Sequence, residues 1–314
     1  MTQLVIFGEC LVDFITDDGA RLQDTTRLRP SVGGAPANVA VQLARLGWSA
    51  DRLQFASATG DDAWGHWLRT RLAQEGVGVD AVLCKEAFKT GITFIDIDDA
   101  GERSFHPYRE RAADLAVSVD DLPQRLLSTT TWLHTGTVSM RTPSSMEATQ
   151  VARQQVREAG GTLSLDVNLR PRMFPSQEEL LHKARSSIQG VDVVKLSRDE
   201  GEVLFGTRDA GAIADAVLQM GPQMVAVTLD DAGALLATTS TRVSVDAVPV
   251  AHVVDATGAG DAFMGGLLSV VAPLSTDDVD DDVLHNAGAL ACRLGAAVVQ
   301  HKGATTGMLQ ADQL

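Results

Sequence analysis

Aromatic side chains are scarce in this sequence: nine Phe, four Trp and one Tyr amount to 4% of 314 residues. So small a supply argues against a stacking platform for single-stranded nucleic acid. Basic charge is short as well. Lys and Arg number 26 against 41 Asp and Glu, a formal net charge of −15 at pH 7. Nucleic-acid binders show the opposite balance. Any phosphate bound here must therefore be held by a local device, such as the unpaired N–H groups that open a helix. Cysteine is limited to Cys10, Cys84 and Cys292. An odd number at wide spacing builds neither a disulfide framework nor a zinc module, and it fits a reducing, cytoplasmic compartment. No apolar run approaches the ~20 residues of a membrane-spanning helix; even AGALACRLGAAVV is interrupted by Arg293. The opening MTQLVIFGEC has no charged n-region and no small-residue cleavage site, so it reads as a first strand and not as a signal peptide.

Several catalytic signatures are missing too. Gly60 to Gly65 has the spacing of a phosphate-binding P-loop, but His66 stands where Lys is required. GAGDAF lacks the third glycine of the dinucleotide fingerprint, and neither H-E-x-x-H nor G-x-S-x-G occurs. Zinc-protease and serine-hydrolase chemistry lose their support with them.

What is present is an ordinary globular composition, 45% apolar and 21% charged, able to bury a large core. From about residue 130 the pattern alternates between strand and helix. Strands are predicted at Trp132–Thr135, Thr162–Val167, Val191–Leu196, Met224–Leu229 and Leu235–Thr238, with helices near 144–158, 177–187, 198–205 and 209–220 between them. Upstream, residues 3–8 and FASATG read as strands, and 35–46 and 64–75 as helices; two further helices are predicted at 260–272 and 279–296. Alternation of this kind builds βαβ units, so the expected fold class is α/β, a three-layer αβα sandwich around a mainly parallel central sheet. Residues 91–97 and 103–108 alternate around DDAGE like a hairpin. One domain over 1–314 is expected, with a small β lid formed by about 11–32 and 91–110.

The segment richest in chemistry is VVDATGAGDAFMGGLL, residues 253–268. It reads as an apolar strand ending at Asp255, a turn of small residues through Thr257, Gly258, Ala259 and Gly260, and a helix entered at Asp261. The unpaired amides of such a helix start, added to its dipole, form an anion site. The same dipole should keep the Asp261 carboxylate ionised and its pKa low. A carboxylate beside a bound phosphate is tolerable when a hydroxyl lies between them, with Asp261 accepting its proton during phosphoryl transfer.

DATGAGD resembles the C-terminal signature of the ribokinase-like (PfkB-type) carbohydrate kinases. GECLVD (8–13), GGAPANVA (33–40), GDDAWG (60–65), DVNLRP (166–171), KLSRDE (195–200) and HKGAT (301–305) fall in that family's order. The resemblance implies a ribokinase-like fold and transfer of the ATP γ-phosphate to a sugar hydroxyl, with Asp261 as base and Gly258, Ala259 and Gly260 as the anion-binding turn. It assigns the sugar to Asp13, Gly33, Gly34 and Asn38, whose carboxylate and amide suit hydroxyls that both donate and accept. Arg109 either reaches the sugar from the lid edge or is a surface ion-pair partner; Arg170 could reach substrate or phosphate, with Asp166 and Asn168 supporting its loop. Glu200 is the implied Mg²⁺ organiser, and Ser197 replaces an Asn of the family's N-x-x-E element. Thr228 and Gly233 match a nucleotide loop in which Asp230 stands where Gly is frequent, and Cys292 lies on the adenine side. A K⁺ site is implied at Asp255, Thr257, Val298, His301, Gly303 and Gly307.

GECLVD, Tyr108-Arg109 and AAD (112–114) look most like bacterial fructokinases, which implies fructose and fructose 6-phosphate. Ketodeoxygluconate kinase is the runner-up, followed by ribokinase and nucleoside kinase. A non-catalytic sugar-binding regulator on the same fold is the reading from a different class. A homodimer through the lid edges is expected.

Overall fold

The computed structural model describes residues 3–16, 20–97, 103–275 and 278–314. The chain runs β1 (Leu4–Phe7), β2 (Leu11–Thr16), β3 (Leu28–Gly33), α1 (Ala35–Arg45), β4 (Leu53–Gly60), α2 (Ala63–Gln74), β5 (Val82–Lys85), β6 (Gly91–Ile97), β7 (Arg103–Tyr108), α3 (Gln124–Leu127), β8 (Trp132–Gly136), α4 (Pro143–Glu158), β9 (Thr162–Asp166), α5 (Gln177–Ile188), β10 (Val193–Ser197), α6 (Arg198–Phe205), α7 (Ala210–Gln219), β11 (Met224–Thr228), β12 (Ala234–Thr238), β13 (Arg242–Val245), α8 (Ala259–Val271) and α9 (Asp281–Val298).

Two sheets result. The larger has nine strands in the order β13-β12-β11-β10-β9-β8-β1-β4-β5. It is parallel from β5 to β11 and closes with antiparallel β12 and β13. Its central strands are apolar on both faces, as parallel strands between helical layers must be. The period of two is visible within β1: Leu4 and Ile6 pack with α1, α8 and α9, whereas Val5 and Phe7 join the opposite core of α4, α5 and α7. The αβα expectation is thereby met.

The smaller sheet has four strands in the order β3-β2-β6-β7. β2 pairs antiparallel with β3 and parallel with β6, and β6 pairs antiparallel with β7. The DDAGE turn lies outside the described residues. Aromatic rings run across this sheet onto α2: Tyr108–Phe94, Phe94–Phe14, Phe14–Trp64 and Trp64–Trp67 have centroids 5.3, 5.4, 4.7 and 6.0 Å apart. Five of the chain's fourteen aromatic residues stand in this row.

The order of the large sheet places a topological switch beside β1. From β1 the chain moves to β4 and β5 on one flank, then returns to β8 on the other. In open α/β sheets, ligands bind outside the carboxyl ends of the strands at such a point.

One predicted strand is absent. Residues 251–256 form no strand, and Val253 and Val254 are 65% and 43% exposed. The sheet already ends at β13, so these valines have no neighbouring strand to pair with. The Val254 and Asp255 amides instead donate to the carbonyl of Val299, just past α9, at 2.7 and 3.1 Å.

Candidate active site

The carboxyl ends of three strands of the large sheet carry nominated residues: Asp166 ends β9, Ser197 ends β10 and Thr228 ends β11. Opposite them, α8 begins at the turn 255–258. Gly258 has φ 84°, and a Cβ there would stand 2.3 Å from the Ala304 carbonyl oxygen. Only glycine fits that combination of left-handed backbone and close approach. Gly258 brings no capping side chain, so the amides of Gly260 and Asp261 are left as donors at the helix start.

Asp261 meets Asn38 across the crevice: Asn38 Nδ2 donates to Asp261 Oδ2 at 2.8 Å. Asn38 belongs to α1, whose entry packs against the first strands. A Cβ on Gly33 would lie 2.3 Å from Asp13 Oδ2, and one on Gly34 would lie 2.5 Å from the Glu9 carbonyl oxygen. The structure thus brings Asp13, Gly33, Gly34, Asn38 and Asp261 together. It also corrects the low pKa expected for Asp261. Burial pushes this carboxyl above its ordinary range, and the Asn38 hydrogen bond and the charges of Lys195 and Arg170 offset that push only in part.

Sequence reasoning missed Lys195. It sits within β10, 6% exposed, with Nζ 3.1 and 3.2 Å from the two Asp166 carboxylate oxygens. A Cβ on Gly260 would lie 2.7 Å from the same Nζ, so the ammonium stands directly at the turn that opens α8. Burial works against this charge. The carboxylates of Asp166, Glu200 and Asp261 outweigh it and raise the Lys195 pKa, keeping the ammonium protonated. The available signal was a lysine flanked by apolar residues in VVKLS, since a lysine is seldom buried without a partner.

Glu200 and Ser197 form a capping box at the start of α6: Ser197 Oγ accepts from the Glu200 amide at 3.1 Å, and Glu200 Oε2 accepts from the Ser197 amide at 2.8 Å. Glu200 Oε1 accepts from the Leu169 amide at 2.6 Å, tying the 166–171 loop to α6. In that loop Asn168 has φ 40°, and the exposed Arg170 is coupled electrostatically to Asp261. Arg109 is not a surface residue: it is 6% exposed and pairs with Asp114. Next to Thr228, Asp230 has φ 56° and Gly233 φ 93°, which explains why glycine suits position 230. Cys292, on α9, is packed in the core, and burial raises its thiol pKa to about 11.

Asp255 is buried, and its oxygens accept from the Thr257 amide at 2.7 Å and the Gly303 amide at 2.6 Å. A Cβ on Gly307 would fall 2.6 Å from His301 Nδ1 and 2.9 Å from Val298 Cα. The six positions nominated for a monovalent cation therefore belong to one knot of loops behind the α8 turn. Among the described residues no cluster of His, Cys, Asp and Glu is arranged to hold a metal by itself, and no helix is long and apolar enough to cross a membrane.

Known proteins similar to this chain fall in one family. The profile of the pfkB family carbohydrate kinases matches residues 1–311. The chain is 35% identical to a fructokinase of Salmonella typhimurium over 304 residues, 96% of this chain and 95% of that protein. It is 34% identical to probable fructokinase-4 of Arabidopsis thaliana, over 96% of this chain and 92% of that one. Among solved structures, the fructokinase of Xylella fastidiosa with bound ATP superposes with a TM-score of 0.88 at 31% identity, covering 99% and 96% of the two chains. Aminoimidazole riboside kinase of Salmonella enterica, complexed with its riboside and an ATP analog, does so with a TM-score of 0.85 at 29% identity, covering 99% and 98%.

Proposed function

The chain belongs to the pfkB family of carbohydrate kinases, and from that premise we propose that it transfers the γ-phosphoryl group of ATP to fructose, giving fructose 6-phosphate. The observation that carries the reading is the juxtaposition at the start of α8. A half-buried carboxylate (Asp261), an amide donor (Asn38), an ammonium (Lys195) and open helix amides converge on one point. Asp13, Gly33, Gly34 and Asn38 orient the sugar. Asp261 takes the proton of the attacking hydroxyl, and its raised pKa makes it the stronger base. The turn 258–260 and Lys195 neutralise charge on the migrating phosphoryl group. Positioning and preorganised electrostatics supply the rate, with no covalent enzyme intermediate.

Ser197, Thr228, Gly233 and Cys292 line the nucleotide side, and Arg170 reaches the phosphates. Mg²⁺ takes oxygen ligands and keeps several waters. Glu200, whose oxygens already accept two amides, and Asp166 would hold it through those waters; bound there, it neutralises the ATP phosphates. K⁺ would be held at Asp255, Thr257, Val298, His301, Gly303 and Gly307, mostly by backbone carbonyls, and would brace the α8 turn. Equal rates in sodium, potassium and bulky organic cations would contradict that requirement.

One domain over 1–314, with the small sheet as a lid, fits this reading, because closure excludes water from the transfer centre. Two copies are proposed to pair through the lids, whose exposed apolar residues are Leu28, Phe105 and Tyr108. The test of function is ADP release on adding fructose, with the product identified as the 6-phosphate. ADP release with other sugars and none with fructose would overturn the assignment.

A further inference from the structure

The glycines of GDDAWG (60–65) have the spacing of a phosphate loop, but here they serve close contact. Gly60 ends β4 and Asp62 caps α2. Asp62 Oδ1 accepts from the Gly65 amide at 2.8 Å and from the Thr90 hydroxyl at 2.7 Å, and Oδ2 accepts from the Thr90 amide at 2.9 Å. Thr90 Oγ1 in turn accepts from the Gly60 amide at 3.1 Å. A Cβ on Gly60 would stand 2.5 Å from Asp62 Oδ2, and one on Gly65 would stand 2.2 Å from the Gly60 carbonyl oxygen. Burial works against the Asp62 charge, but the bonds from Thr90 and Gly65 outweigh it and hold the carboxyl below its ordinary range. The carboxylate fills the place at the start of α2 that an anion would take. Four hydrogen bonds, three of them to this charged acceptor, close one knot.

Thr90 stands where the chain leaves the large sheet for the small one, since β6 starts at Gly91. The chain returning from β7 is tied to the same root: the Lys89 carbonyl accepts from the Ala113 amide at 2.9 Å. From the same helix start, Trp64 meets Phe14 of β2 edge-on, with centroids 4.7 Å apart. β6 runs parallel to β2, and Thr93, three residues past Thr90, is the register partner of Asp13. Both are buried. A slip of one residue in β6 would turn its side chains to the opposite face. What fixes the root of β6 therefore fixes what stands beside the Asp13 carboxylate.

Resting on the sugar-kinase reading, we propose that Asp62 and Thr90 are positioning residues for sugar binding: their knot roots β6 on the large sheet, and through β6 it sets the place of Asp13 and of the small sheet beside the crevice.

The test compares Thr90→Val and Thr90→Ser with wild type. Thr90→Val keeps the shape of the side chain and loses the hydroxyl, so the Gly60 N–H and Asp62 Oδ1 each lose a bond. It should raise the KM for fructose about tenfold, the size of one hydrogen bond to a charged group. The KM for ATP should stay level, and ATP hydrolysis without sugar should rise relative to transfer, because water reaches the transfer centre. Thr90→Ser restores the hydroxyl and should recover the wild-type values. Asp62→Asn turns an amide donor toward the Thr90 amide and should match Thr90→Val; if it does not fold, the two threonine variants still decide. A knot that only stabilises the fold would lower the melting temperature of Thr90→Val and leave its fructose KM unchanged well below melting. That result overturns the proposal, as does Thr90→Ser failing alongside Thr90→Val, or both KM values rising together. A wild type that releases no ADP with any sugar overturns the kinase reading instead. The positioning claim then stands if fructose raises the melting temperature of wild type and Thr90→Ser but not of Thr90→Val, and falls otherwise.

Discussion

Asp261 carries two consequences of its burial, one kinetic and one thermodynamic. Its carboxyl is raised above the ordinary range, so turnover should fall as pH drops through a value higher than a free aspartate would give. A pH profile of kcat checks the sign. The folded protein also holds this proton more tightly than the unfolded chain. Ionising Asp261 therefore costs stability as pH rises from the ordinary carboxylate pKa through the raised one. Asp261→Asn should then lose about 100-fold or more in kcat while its melting temperature at neutral pH stays level or rises; a variant with retained turnover contradicts the base role. Lys195 should behave in the opposite way. Lys195→Met leaves Asp166 buried without its partner, a loss of about 3–5 kcal/mol for broken buried pairs, and a denaturant titration measures it. Neutralising both residues, Lys195→Met with Asp166→Asn, should restore most of that stability but not the turnover. Asp261 and Asn38 were legible because they stand in fixed motifs. Lys195 was not, because a charge in an apolar run looks the same in sequence whether it snorkels to solvent or is paired inside.

The helix α8 is set by its entry more than by its own sequence. A strand leading into it was expected from VVDATG, since β-branched residues followed by a glycine turn make that pattern. Local pattern does not reveal whether a neighbouring strand is available, and here the sheet has already ended at β13. The entry is instead fixed by Asp255 bonding to the Thr257 and Gly303 amides and by the close fit of Gly258 against Ala304. Gly258→Ala would meet both a left-handed backbone and the Ala304 oxygen. It should destabilise by about 1–3 kcal/mol, the usual strain of such positions, and lower kcat more than it raises the KM for fructose. An unchanged kcat would mean that the turn does not hold the migrating charge. The nucleotide loop shows the converse case, where Asp230 adopts φ 56° without a glycine. The strands β1, β4 and β8 to β12 and the longer helices were readable because their apolar runs and periods agree with the faces they bury, whereas the edge strands β5 and β13 were not expected: four half-exposed residues carry too little apolar pattern.

At the scale of the whole molecule, the strand order was the least readable feature. Alternation announces βαβ units, but it does not say that the chain turns back beside β1. That reversal creates the crevice, and it brings α1, some 220 residues away in sequence, against α8: Asn38 reaches Asp261 across a separation of 223 residues. The small sheet was visible as polar, turn-rich segments, whereas its role as a lid and its pairing between copies are proposals, the latter resting on exposed Phe105 and Tyr108. Tyr108→Glu should shift size-exclusion elution from dimer to the 33.2 kDa monomer, and wild type eluting as a monomer would remove the dimer. The most direct measurement of the whole account is a crystal structure with fructose and a non-hydrolysable ATP analogue. The account predicts a terminal phosphate on the Gly260 and Asp261 amides and Lys195, with a sugar hydroxyl between it and Asp261; a terminal phosphate bound away from the α8 turn would contradict it.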